Sequence, residues 1–258
     1  MDRVVSSYAP SVKALVHGRR RRKMPEGPAQ ALLVAVDSAQ NQAPLPKARQ
    51  EVDLVSKICE SMKVKVITSG SDKQDTLGQL RSSKIFHFAG HGYTDKTNAS
   101  KSHLCFSNAS DPLTVANLLQ LNLHEESPFL AYLSACSTGC VQDEQFLDES
   151  IHLISACQLA GFRHIIGTLW KVQDEHCVDV ARITYETIKE GGMTDDSVCR
   201  GLHRATRAMR DIWLDSMEED GNPALRALRG EREVRDIISC EDDEPAPAYW
   251  VPYVHYGV

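Results

Sequence analysis

Three residues in this 258-residue chain have the type and setting for nucleophilic chemistry. His91 stands in Phe88-Ala-Gly-His-Gly92, Cys136 in Leu133-Ser-Ala-Cys-Ser-Thr-Gly139, and Asp174 closes Thr168-Leu-Trp-Lys-Val-Gln-Asp174. A cysteine attacks a carbonyl as its thiolate, so it needs a base within hydrogen-bond reach and a setting that favours the anion. His91 is the candidate base and Cys136 the candidate nucleophile. The flanking Gly90 and Gly92 predict a tight backbone turn in which the Gly92 N–H, unshielded by a side chain, meets a substrate carbonyl. The N–H of Cys136 would then complete an oxyanion hole. A carboxylate at Asp174 would select a basic substrate side chain, because a desolvated cation needs a partner. Asp is also a preferred N-cap, here for a helix starting at Glu175, and both roles can hold together. Asp148 has the same two readings before a helix from Ser150, where the cap is the favoured one.

These positions matter because of the elements that carry them. Apolar runs at 31–36, 64–68, 85–89, 129–134 and 164–170 read as strands, and an aromatic run at 248–256 as a last one. Between them, helical spacing appears at 47–62, 75–80, 113–119, 150–160, 175–189 and 196–214. Within the fourth of these helices, Ile151, Ile154 and Cys157 form one face, read with Trp170 as core. Strands that are apolar along their whole length and alternate with helices predict an α/β fold with a parallel sheet covered on both faces. In such sheets, sites form beyond the carboxyl ends of the strands. His91, Cys136 and Asp174 all follow such ends, so they fall at one edge.

Residues 1–30 read as a short helix (Tyr8 to Val16), the basic run Arg19 to Lys23 and a linker with Pro25, Gly27 and Pro28, a leader expected to pack onto a domain spanning 31–258. The basic run reads as a solvated turn, with a nuclear-import or RNA patch as its functional alternative. The chain holds 29 basic and 35 acidic side chains, a net −6 that argues against a nucleic-acid-binding role. It has neither a bilayer-length apolar stretch nor a basic-then-apolar leader, which points to no membrane association and a cytoplasmic protein. Eight cysteines, spread from Cys59 to Cys240, are too sparse for a disulfide framework and read as reduced thiols. Taken singly, His91 fits a satisfied polar residue and Cys136 a core filler; their placement at neighbouring strand ends is what favours a pair. A rival is a zinc site of His87, His91, Cys136 and Cys140, weakened because His87 lies inside the apolar run Ile85-Phe-His-Phe88.

At these residues the chain resembles a known family. His87-Phe-Ala-Gly-His-Gly92, Leu133 to Gly139, Asp148 to Leu153 with Ala160 to Ile165, and Gly167-Thr-Leu-Trp170 are similar to the successive signatures of CHAT domains. These are caspase-fold cysteine peptidases related to separase and often attached to tetratricopeptide repeats. Ser7 to Ser11 resembles the domain's opening and Tyr249 to Gly257 its closing strand, so the likeness covers nearly the whole chain. The resemblance implies a three-layer α/β/α caspase-like fold with a mostly parallel central sheet. It also implies a cysteine endopeptidase with His91 and Cys136 as catalytic dyad and Asp174 in the S1 pocket, although Lys171-Val-Gln173 departs from separases there. The resemblance requires neither metal nor organic cofactor, and its expected partners are a protein or peptide substrate and an activating protein such as a repeat-containing sensor. No repeats are present, which implies either a piece of a longer protein or a domain acting without a fused sensor. The polar loops 93–102 and 141–147 are expected to order on binding, giving low basal activity. The alternatives are a non-catalytic interaction domain and a zinc-stabilised module.

Overall fold

The structure is a computed structural model that describes residues 4–9, 12–20, 29–39, 42–69, 72–93, 95, 98–108, 111–137, 151–169, 172, 174–219 and 252–258. Its centre is a sheet whose strands are β1 (Gln30–Ala35), β2 (Lys65–Ser69), β3 (Ile85–Tyr93), the short β4 (His103–Leu104) and β5 (Leu113–Thr114), β6 (Leu130–Ser137), β7 (His164–Thr168) and β8 (Tyr253–Tyr256). The main path runs β2-β1-β3-β6-β7-β8, parallel except for β8, which pairs antiparallel with β7. Leu32, Leu33, Ile85, Phe86, Leu130 and Ile165 are fully buried, as expected of strands covered on both sides.

Three helices have a local reason to start where they do. Pro46 opens α2 (Pro46–Ser61), where its missing N–H costs nothing. Asp72 caps α3 (Lys73–Leu80) by accepting from the Asp75 N–H. Thr114 and Asn117 form a reciprocal capping box at α4 (Val115–Leu121), so the helix expected from residue 113 begins two residues later. The remaining helices are α1 (Val12–Arg20), α5 (Ile151–Ala160), α6 (Asp174–Glu190) and α7 (Asp195–Glu219).

The layers follow from crossover handedness. From β1 the chain moves one way to β2 through α2. From β3 it moves the other way to β6 and β7 through α4 and α5. Right-handed crossovers in opposite directions place their helices on opposite faces. Side chains of α2, α6 and α7, including Val52, Val55, Ala181, Tyr185 and Leu202, pack with Ile85, Ala89 and Tyr132 on one face. Those of α3, α4 and α5, including Leu80, Leu118, Ile154 and Cys157, pack with Phe86, Phe88 and Leu133 on the other. This is the three-layer α/β/α architecture with a mostly parallel sheet.

Two strands depart from the expected bounds. β3 continues to Tyr93 and β6 to Ser137, so Gly90, His91, Gly92 and Cys136 lie within the sheet's last rows and not in turns after it. Gly90 has no left-handed backbone; a Cβ there would come within 2.9 Å of the Phe88 ring. Its service is close packing, which corrects the tight-turn expectation. β4 and β5 form a small antiparallel ribbon on β3, with Gly92 opposite Leu104 and Tyr93 opposite His103. Two-residue strands carry no readable periodicity, and the sequence pattern missed both. Residues 4–9 reach the far edge, where Tyr8 N–H donates to His255 O and Gly257 N–H to Tyr8 O.

Candidate active site

The strand order reverses between β1 and β3, the position at which open α/β sheets leave a crevice outside their carboxyl ends. His91 stands at the end of β3, beside that crevice, and Ala43 lies in the connection from β1 to α2. The two meet: His91 Nε2 is 2.7 Å from the Ala43 carbonyl oxygen. A carbonyl only accepts, so Nε2 carries a proton, and the neutral form of the ring has its lone pair on Nδ1. The ring is 5% exposed, and Nδ1 has no hydrogen-bond partner among the described residues. A buried ring held by one nitrogen and bare at the other is oriented for work as a base.

In register with His91 across the parallel β3·β6 pair is Cys136, and the next row pairs Gly92 with Ser137. Neighbouring strands lie about 5 Å apart, so the backbone brings base and thiol positions side by side. Three rows thus stack along β3 and β6: His87 with Tyr132, Ala89 with Ser134, and His91 with Cys136. Five other cysteines sort themselves by burial. Desolvation pushes the thiols of Cys59 and Cys157 up to about 12 and that of Cys105 to about 11, and also raises Cys199. Cys177 is buried beside the Tyr253 hydroxyl, and among the described residues none of these five forms a disulfide.

Asp174 begins α6, just beyond the carboxyl end of β7. Its Oδ2 accepts the backbone N–H of Lys47 at 2.8 Å, so it caps the first turn of α2, a helix remote in sequence. The segment from Ala43 to Lys47 is therefore gripped at one end by His91 and at the other by Asp174. The expected local cap gives way to a long-range one because α2 and α6 pack side by side on the same face.

A residue that sequence reasoning missed lies beneath this row. Glu51 of α2 is 1% exposed; its Oε2 accepts from Ser134 Oγ at 3.0 Å, and its Oε1 is 3.2 Å from His87 Nε2. That second approach falls outside hydrogen-bond geometry. His87 Nδ1 lies 3.2 Å from the Tyr185 hydroxyl, and the His87 ring stacks on Tyr132 at 4.8 Å. Burial, reinforced by the Glu51 charge, drives the phenols of Tyr132, Tyr185 and Tyr253 well above their ordinary range. His87 thus has a hydrogen-bond partner at Nδ1 and a carboxylate oxygen close to Nε2, and the apolar run around it holds a polar column. The available signal was spacing: Glu51 falls three residues after Ala48 and four before Val55, on the apolar side of its helix.

Among the described residues, no group of three or more His, Cys, Asp or Glu side chains is arranged to hold a metal ion, and no helix is long and apolar enough to cross a membrane. The loop after Tyr93 is built, where described, from turn bonds: Asp95 N–H to Ser102 Oγ, Asn98 N–H to Asp95 Oδ1, and Ser100 to Asn98 Oδ1. Cys140, the loop 141–147, Asp148, Trp170 and the acidic run 241–244 lie outside the described residues, as does most of the basic run.

The architecture defines a caspase-like α/β protein. It is similar to the Arg-specific cysteine proteinase gingipain R, with a TM-score of 0.51 at 13% identity over 95% of this chain and 50% of that one. The model of the CHAT domain matches residues 1–258, and the chain belongs to that family. Over 163 residues it is also 26% identical to a protein of Oryza sativa subsp. japonica named "Probable protein phosphatase 2C 54", covering 61% of this chain and 44% of that protein. The chain therefore spans about half the length of these relatives.

Proposed function

We propose that the protein is a cysteine endopeptidase working through His91 and Cys136. The observation that carries this reading is the register of the two residues at the switch point of the sheet, with His91 held through Nε2 and bare at Nδ1. His91 Nδ1 takes the Cys136 proton, and the thiolate attacks the scissile carbonyl carbon. The N–H groups of Gly92 and Cys136 receive the oxyanion, and His91 returns the proton to the leaving amine. Water then cleaves the thioester, releasing the acid and restoring the thiol. Asp174, at the same sheet edge, is the candidate for recognising Arg or Lys before the cut. The Arg specificity stated for gingipain R, which shares this fold, is in keeping with that choice. A protein partner is the proposed activator and the cytoplasm the proposed compartment.

The test is a map of new protein N-termini after incubating a proteome with wild type, Cys136→Ala and His91→Ala, each with and without extracts that supply a partner. Termini that follow Arg or Lys and appear with wild type alone are the expected result. Wild-type termini after other residues would remove the Asp174 pocket and keep the peptidase. Identical maps for all three proteins would leave an interaction domain. Equal cutting with and without partners would remove the activation step.

A further inference from the structure

Every part of the proposed dyad converges on one side chain. His91 is carried by β3, Cys136 by β6, and the carbonyl that orients His91 by the segment leading into α2. Glu51 projects from α2 to touch both strands: His87, four residues before His91, and Ser134, two residues before Cys136. Burying a carboxylate is costly unless its oxygens are occupied, and a merely apolar helix face would have docked α2 without that cost. What an apolar contact lacks is direction. A hydrogen bond to Ser134 and a close polar approach to His87 fix the height of α2 along both strands.

We infer that Glu51 is a positioning residue of the His91/Cys136 pair, bridging β3 and β6 one and two rows beneath it and anchoring the helix whose approach segment supplies the Ala43 carbonyl. This inference rests on the dyad reading. The titratable groups around the bridge are His87 on β3, Tyr132 on β6, Cys59 on α2 itself, Tyr185 and Cys177 on α6 and Tyr253 on β8. Each is buried, so the bridge lies in a dry interior where its geometry is held without exchange with solvent.

The experiment follows the alkylation rate of Cys136 by iodoacetamide in the full chain, read on its tryptic peptide from about pH 5 to 9, the range in which a paired thiolate separates from a free thiol. In wild type, His91 sustains the rate at the acid end, and His91→Ala removes it. Glu51→Gln keeps the size and an acceptor for Ser134, so its profile stays within about threefold of wild type, whereas Glu51→Leu loses about tenfold or more at the acid end. Ser134→Ala falls between them. Val55→Ala, an equally buried change on the same helix, lowers the melting temperature and leaves the profile of folded molecules unchanged. Folded Glu51→Leu with the wild-type profile overturns the inference. If that variant does not fold, a wild-type profile for Ser134→Ala overturns it instead, and so does a Glu51→Gln profile as deficient as that of Glu51→Leu. A His91→Ala profile identical to wild type would sink the dyad reading itself, which separates the two failures.

Discussion

The two ends of the sheet each hold a buried histidine, and they differ in what those histidines are given. At the carboxyl end, His91 is held by a backbone carbonyl and keeps a bare nitrogen facing away from it. At the amino end of β7, His164 Nε2 lies 2.9 Å from Asp195 Oδ1, Asp195 also takes a forked bond from Arg163, and His164 Nδ1 lies 3.1 Å from His255 Nε2. On residue types alone the second cluster, a histidine paired with a carboxylate, looks more like a catalytic site. Yet it stands at the wrong end of a parallel strand and clamps α7, β7 and β8 together, while Arg163 also reaches the Gly18 carbonyl of α1. Burial lowers the affinity of both its histidines for a proton, taking His255 to about 3. Position in the sheet, more than chemical pedigree, separates the histidine proposed as a base from the one that clamps elements together.

The contrast breaks most visibly on activity. Cys136→Ala or His91→Ala should lower turnover about a thousandfold or more, whereas His164→Ala should leave turnover per folded molecule unchanged; steady-state kinetics on the folded fraction decides. Gly90→Ala, which sets a methyl against the Phe88 ring, should cost about 2 kcal/mol by denaturant titration, and a neutral result would mean the end of β3 is looser than its packing implies. Asp195→Ala should cost about 1–2 kcal/mol, discounted because its side chain is 42% exposed, with turnover untouched.

The same cluster sets an acid limit. His255 binds its proton more weakly folded, at about 3, than at its ordinary 6.5, so its neutral burial is free above about 6.5 and costs stability as the pH falls toward 3. Replacing it, as in His255→Gln, should flatten the fall in melting temperature over that window; equal slopes would place the acid-sensitive element elsewhere. Smallest of all, Asp174→Ala removes the cap from α2 and should cost about 1 kcal/mol, with a raised KM for basic substrates as the sharper readout.

Much of this was readable in advance, for identifiable reasons. Fully apolar runs such as Ala31 to Val36 and Phe129 to Leu133 announce a sheet buried on both faces, and the strand-end rule then picks out His91 and Cys136 as candidates. What stayed hidden depends on contacts between distant segments. Ala43 contributes only a carbonyl, which every residue has. Glu51 falls on the apolar side of its helix by spacing, but its partners, 36 and 83 residues away, reach it only in the fold. Asp174 is expected at that edge as an S1 carboxylate and as the cap of the adjacent helix, and nothing local reveals that Lys47 will arrive there.

The Ala43 contact has a mechanical consequence. Holding the ring by its outer nitrogen leaves Nδ1, the atom nearer the main chain, for the proposed reaction. A turn of the ring would break the Ala43 contact and swing Nδ1 out of line, so the aim of the base depends on the segment that supplies the carbonyl as much as on β3. Moving that approach segment would release the ring, which makes the connection from β1 to α2 the place where a control signal could act.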